Sequence, residues 1–475
     1  MIKKRDDIEE IFHPKGVALY GASPKGGLGN LLIMGLIELG FPNIYPIHPK
    51  VDEILGLKAY PNIKQVEGDI DLVIIAVHPR HVKKILYDCI EKKVKGVILF
   101  TSGFREIGEK GRNFENEIVQ IARNGGIRII GPNCMGIYCP ESRLSFFPSL
   151  PLEKGNIAFV SQSGSLSTLV IMSSMLRGIY FSKVISIGNC ADLNFNDFLE
   201  YFANDENTKV IGCYLEGIEN GKEFIKLTKE ISRKKPIIMW KVGLTNAGKK
   251  AANSHTGSLA GNSLLWEHIF QQTGMIKVHN INQLIEHFGM FQNPVLPKGN
   301  KVVVISGPGG PAVSSADACE LAGLELAKLS NETKIKLKEI LPEFGTGVNN
   351  PVDLGLNIAF QPELEYLACE IAGADKNVDM VLIYISVLKK IQIKNFIKVQ
   401  NKIKKPIALV TTFDISASFK DYSVKDYFQP ISPKKAPNYV RKLYNNGISL
   451  HNSEQNAALA LSNLLKYSKF LRKLK

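Results

Sequence analysis

Gly16-Val17-Ala18-Leu19-Tyr20-Gly21-Ala22-Ser23-Pro24-Lys25-Gly26-Gly27-Leu28-Gly29 decides how this chain reads. The apolar run Val17–Tyr20 is too short for a helix and has no polar alternation, the pattern of a strand covered on both faces. Glycines and a serine follow it, and then a helical pattern from Asn30 to Gly40. A strand that runs through a small-residue turn into a helix is the building unit of a parallel α/β domain. Glycine lets the backbone approach an anion closely, and the helix N-terminus offers unpaired N–H groups and a positive dipole end. The turn is looser than the strict GxGxxG, and tight strand–helix packing accounts for its glycines as well.

The same unit opens two further segments. In the first, the spacing predicts strands at Ile44–Ile47, Asp71–Val77, Gly96–Phe100 and Ile127–Ile130, with a helix over Glu109–Asn124. The Pro- and Ser-containing stretch Cys139–Lys154 reads as a linker. The second segment opens with Asn156–Val160 and the turn Ser161-Gln162-Ser163-Gly164-Ser165, and continues through strands at Val184–Ile187, Val210–Leu215 and Pro236–Lys241. After the linker Asn293–Gly299, the third restarts with Lys301–Ser306 and the turn Gly307-Pro308-Gly309-Gly310-Pro311. Strands at Val378–Ile385 and Pro406–Thr412 and a helix over Asn456–Tyr467 complete it, and Ser432–Ala436 reads as a helix start.

Several residues in this frame carry chemistry. No acidic residue ends the second strand, where a dinucleotide site places its ribose ligand. His48-Pro49-Lys50 stands there instead, a cation suited to a phosphate, which argues against NAD and toward CoA. Ser163, Gly164 and Ser165 put hydroxyls and a glycine at a helix N-terminus, a cradle for phosphate, although a serine there also serves as a plain N-cap. Glu216 ends the strand Cys213-Tyr214-Leu215, at the edge where parallel sheets keep their sites. Glu219, three residues on, reads as solvated. His255 lies in Asn253-Ser254-His255-Thr256-Gly257, with no cysteine or second histidine near it, so the run fits neither a metal site nor a packed core. An imidazole on a small-residue loop suits covalent catalysis, and Glu216 would fix its tautomer.

The chain has 475 residues, room for about three domains. Its 45% hydrophobic and 22% charged residues are ordinary for a globular protein, and no apolar stretch approaches a membrane span. The net charge is +14, but the lysines are scattered without a basic tail or nucleic-acid motif, so a small polyanion fits as well as a nucleic acid. Seven dispersed cysteines without a CxxC pair suit a reducing compartment, and Met1–Asp7 lacks the apolar run of a signal peptide, so the cytoplasm is the expected location.

Taken with Ile44–Lys50, Gly131-Pro132-Asn133-Cys134-Met135-Gly136, Tyr214-Leu215-Glu216-Gly217, Ser254-His255-Thr256-Gly257 and Asn350-Pro351-Val352-Asp353, these turns resemble the NDP-forming acyl-CoA synthetases. That family is related to succinyl-CoA synthetase, and the resemblance, to the α subunit of ADP-forming acetyl-CoA synthetase, runs over essentially the whole chain. It implies an α/β protein with an N-terminal Rossmann-like CoA-binding domain over 1–138. Two flavodoxin-like, succinyl-CoA-synthetase-type domains would follow, over 150–292 and 299–470. It also implies CoA contacts at Gly21, Ala22, Ser23, Lys50, Pro79, Asn133 and Cys134, phosphate binding at Ser163, Gly164 and Ser165, and a phosphohistidine at His255 assisted by Glu216.

The implied reaction converts acyl-CoA, ADP and inorganic phosphate into carboxylic acid, CoA and ATP. The three segments leave no room for the family's ATP-grasp module, so ADP/ATP with Mg²⁺ is expected on a separate β subunit, in an α₂β₂ heterotetramer, with no resident metal here. A catalytically inactive CoA-binding regulator is the alternative. A dehydrogenase fails on the missing ribose carboxylate.

Overall fold

A computed structural model describes residues 2–250, 263–307, 309–385, 390–411 and 438–473. The chain divides into two compact units, the first formed mainly by residues 1–173 and 180–275 and the second mainly by 276–422 and 433–475.

The first unit holds two large sheets and a two-stranded hairpin, Glu53–Ile54 with Leu57–Lys58. One runs Ile44–Ile47, Val17–Tyr20, Leu72–Ile75, Gly96–Leu99, Arg128–Ile130 in spatial order, every pair parallel. Leu72–Ile75 and Gly96–Leu99 are buried at every position, which is why they read as unbroken apolar runs. The chain order reverses beside Val17–Tyr20, so the crevice of this sheet lies past the carboxyl ends of that strand and Leu72–Ile75. In the other sheet Ile237–Lys241, Val210–Leu215, Ile157–Ser161 and Phe181–Ser186 are parallel in that order. Its reversal falls at Ile157–Ser161, whose end is the serine turn.

Cys139–Lys154 is packed more closely than its composition suggests. Gly136–Tyr138 adds an antiparallel strand to Phe181–Ser186, and Leu144, Phe146 and Leu150 beyond it are buried. Gly35, in the helix Leu28–Leu39, lies so close that an added Cβ would stand 2.8 Å from the Phe147 backbone. The Arg143 guanidinium donates to the Gly40 carbonyl at 3.1 Å. The Phe147 backbone and Arg143 bring this stretch against the end of the helix, a long-range consequence that Pro and Ser content does not carry.

The second unit's sheet runs Glu325–Leu326, Lys301–Ser306, Met380–Tyr384, Ile407–Val410, Ile448–His451, all parallel, with the short Val352–Asp353 also pairing Lys301–Ser306 in parallel. The glycine turn after Lys301–Ser306 leads into the helix Gly309–Leu321, and the terminal helix spans Glu454–Arg472. Ser432–Ala436 lies outside the described residues. Among the described residues no helix is long and apolar enough to cross a membrane.

Candidate functional site

The glycine turn is shaped by close approach. Gly21 has φ +112°, and a Cβ there would sit 2.3 Å from the Ala76 carbonyl oxygen, so only glycine fits. A Cβ on Gly29 would meet the Gly21 carbonyl at 2.4 Å, so the helix start presses on the strand end. Asn30 grips Ser23 from both sides: its Oδ1 accepts the Ser23 N–H at 3.0 Å and its Nδ2 donates to the Ser23 carbonyl at 3.0 Å. The Ser23 hydroxyl donates to the Gly26 carbonyl, closing the turn. Tyr20 pairs with Ile47, which brings Gly21-Ala22-Ser23 and His48-Pro49-Lys50 to the same edge of the sheet. Lys50 is exposed, and its N–H donates to His48 Nδ1 at 3.2 Å.

A cavity of about 540 Å³ opens at the neighbouring strand ends, a size suited to a small-molecule site. Pro79, Asn133 and Cys134 line it together with Ser163, Gly164 and Ser165. Six of the residues singled out from sequence therefore meet in one space, whereas Gly21, Ala22, Ser23 and Lys50 do not line it. Asn133 takes φ +58° and donates its N–H to the Thr101 carbonyl at 3.0 Å. Burial pushes the Cys134 thiol far up, so it forms wall and offers no thiolate. Ser163 caps the helix Gly164–Met175, its Oγ accepting the Leu166 N–H at 3.4 Å, and the Ser161 hydroxyl donates to the Ser163 carbonyl at 2.8 Å. Met135 packs against Gly164, where an added Cβ would come within 2.4 Å of its Cγ.

Glu216 is buried at the end of Val210–Leu215. Its N–H and that of Gly217 both donate to Gln162 Oε1, at 2.6 and 3.0 Å, and Gln162 Nε2 donates back to the Gly217 carbonyl at 3.0 Å. Lys241 Nζ donates to the Glu216 carbonyl at 2.7 Å. Burial pulls the Lys241 amine down to about 8 against the opposing pull of Glu216. The Tyr214 phenol, pushed up to about 12 by burial and then by Glu216, hydrogen-bonds the Glu216 side chain. Glu219 is different: its side chain is 78% exposed and accepts from Arg105 Nη1 at 2.8 Å.

His255 and its flanking residues lie outside the described residues. Sequence reasoning missed Gln162 and Lys241. Gln162 was in view inside the serine turn, but nothing local says that its amide reaches a strand end 54 positions away. Asn189 was missed too. It lines the cavity, donates to Glu106 and Glu115, and its buried Oδ1 has no hydrogen-bond partner among the described residues. Among the described residues no cluster of three or more His, Cys, Asp or Glu could hold a metal ion.

Residues 15–140 match the family model of a CoA binding domain, and residues 154–291 that of a succinyl-CoA ligase like flavodoxin domain. The α subunit of ADP-forming acetate–CoA ligase II from Pyrococcus furiosus is 41% identical over 377 residues, covering 79% of this chain and 81% of that one. The ADP-forming acetate–CoA ligase of Methanocaldococcus jannaschii is 41% identical over 349 residues, but the match spans only 49% of its length, so this chain corresponds to about half of that enzyme. The solved acetyl-coenzyme A synthetase 1 of Ca. Korarchaeum cryptofilum, in complex with phosphate and ADP, superposes with a TM-score of 0.80 at 29% identity, covering 99% of both chains. With its CoA-binding and succinyl-CoA-ligase-like domains in sequence order, the chain belongs to the family of ADP-forming acetate–CoA ligases, among their α subunits.

Proposed function

We propose that this chain is the α subunit of an ADP-forming acyl-CoA synthetase, an acid–thiol ligase. It interconverts acyl-CoA, ADP and phosphate with carboxylic acid, CoA and ATP. The observation that carries this reading is the single cavity shared by Pro79, Asn133 and Cys134 on the CoA side and Ser163, Gly164 and Ser165 on the phosphate side. A phosphate held at the N-terminus of Gly164–Met175 has backbone N–H groups to neutralise it next to the thioester. Its oxygen attacks the thioester carbonyl, the C–S bond breaks, and acyl phosphate and CoA thiolate form. His255 then takes the phosphoryl group and the carboxylate leaves, with the Glu216 side chain orienting the imidazole and stabilising its positive charge.

ADP phosphorylation belongs to an ATP-grasp β subunit carrying Mg²⁺, in an α₂β₂ assembly in the cytoplasm. The functional division follows residues 1–138, 150–292 and 299–470. The inactive-regulator alternative finds no support, since the relatives at this similarity are named as ligases.

The experiment is labelling with acyl-CoA and radioactive phosphate. The chain is expected to acquire an acid-labile, base-stable phosphate that His255→Ala abolishes while CoA still binds. ATP formation from acyl-CoA, ADP and phosphate is expected only after the β subunit is added. Stable label elsewhere, or full turnover by the variant, overturns the reading.

A further inference from the structure

The sheet ends just before Glu216. Val242 N–H still reaches the Leu215 carbonyl at 3.1 Å, and Gln162 N–H the Tyr214 carbonyl at 3.3 Å. Beyond that point side chains replace the ladder. The Gln162 amide acts as an extra rung, taking the N–H groups of Glu216 and Gly217 and returning one donor to the Gly217 carbonyl. Lys241, at the end of the neighbouring strand, caps the Glu216 carbonyl and also the Val242 carbonyl at 2.5 Å. Both side chains are nearly fully buried. The ammonium lies 5.2 Å from the centroid of the Trp266 ring, and Glu216 is the charged group that acts on it.

A buried lysine is costly, and apolar residues fill such a place at least as well when only stability is at stake. Its position on the peptide of the candidate carboxylate therefore calls for a functional account. We propose that Gln162 and Lys241 are positioning residues that clamp the backbone of Glu216 from its two sides and so hold its carboxylate in one orientation beside the serine turn. Gln162 does this as the residue that directly precedes Ser163, tying the phosphate turn and the carboxylate to one rigid frame. This inference rests on the reading of Glu216 as the group that orients His255.

The test is single-turnover phosphorylation of the α subunit by acyl-CoA and phosphate, in Gln162→Met, Lys241→Met, Lys241→Gln and Glu216→Gln, with each of the first three also combined with Glu216→Gln. The two methionine variants are expected to slow phosphoenzyme formation on the order of 100-fold, with KM for acyl-CoA held within about twofold, since the groups act through Glu216 and not on the substrate. Lys241→Gln keeps a donor for a carbonyl and is expected to fall between Lys241→Met and wild type. Added to Glu216→Gln, none of these changes is expected to slow the enzyme further.

The chain's two tryptophans flank the frame, Trp240 edge-on to Tyr214 at 5.2 Å and Trp266 against Lys241, so intrinsic fluorescence reports whether a variant is folded there. Additive losses in the double variants, a loss confined to KM, or wild-type rates in folded Gln162→Met and Lys241→Met overturn the proposal. Wild-type phosphorylation by Glu216→Gln overturns instead the assignment of the carboxylate on which it rests.

Discussion

Glu216 in the first unit and Glu286 in the second are both buried, and their surroundings divide sharply. Glu286, on the helix Ile281–Phe291, accepts from Arg177 Nη1 at 2.9 Å and faces His451 Nδ1 at 3.1 Å, while Asn452 adds its N–H at 3.4 Å. Against the burial that would raise it, His451 and Arg177 pull this carboxyl down to about 2. His451 is itself occupied on its other nitrogen by the Ser449 hydroxyl at 2.8 Å. A carboxylate held between a guanidinium and an imidazole is ionised and fixed, and it has little capacity left for a reacting group. Glu216 is held chiefly through its peptide, with a phenol on its side chain and a lysine whose amine is spent on carbonyls. Holding the peptide sets the direction of the side chain, which is what the proposed partner of a catalytic histidine requires.

The comparison breaks first at Glu216. Glu216→Gln keeps the volume and removes the charge, and is expected to slow His255 phosphorylation by roughly 10²–10⁴-fold with little change in melting temperature, measured by rapid quench and calorimetry. If Glu219→Gln shows that loss instead, the surface carboxylate is the functional one and burial was a poor guide.

Glu286→Gln should invert the pattern. It leaves the half-buried Arg177 guanidinium without its counter-charge and the buried His451 without its carboxylate partner, so a loss of about 3 kcal/mol in denaturant unfolding is expected, with near-normal phosphorylation of the folded protein. The pH dependence sharpens this. Because the folded value lies near 2 and the ordinary value is 4.5, the Glu286 contribution is fully present above 4.5 and drains away as pH falls from there through 2. The Gln variant should lack that part of the acid limb, and an unchanged limb means the ion cluster is not what titrates.

The smallest effect belongs to an exposed charge. Lys50→Glu is expected to weaken CoA binding by roughly tenfold in calorimetry, the scale of one lost charge-assisted phosphate contact, and more steeply at low salt. Unchanged binding removes Lys50 from the CoA site.

Much of the molecule was legible in the chain. Val210–Leu215, Lys301–Ser306 and the helix Glu109–Asn124 form over the residues their patterns predict, because burial on both faces and amphipathic spacing are written locally. The turns at Gly21 and Ser163 were legible for the same reason, since a strand, a small-residue turn and a helix are neighbours in sequence. The stretch Cys139–Lys154 joins the two matched domains as its composition suggests, but its packing was not legible, because the Phe147 backbone meets Gly35 of Leu28–Leu39 more than a hundred residues back.

The sequence by itself determined three α/β segments, the small-residue turns that open them and the carboxylate at a strand end, since each depends on residues a few positions apart. Tertiary structure alone decided that Pro79, Asn133 and Cys134 share a cavity with Ser163, Gly164 and Ser165, and that Gln162 and Lys241 hold Glu216. The reason is sheet order: Ile157–Ser161 and Ile237–Lys241 lie on either side of Val210–Leu215, so the side chains at their ends converge on one peptide that neither is near in sequence.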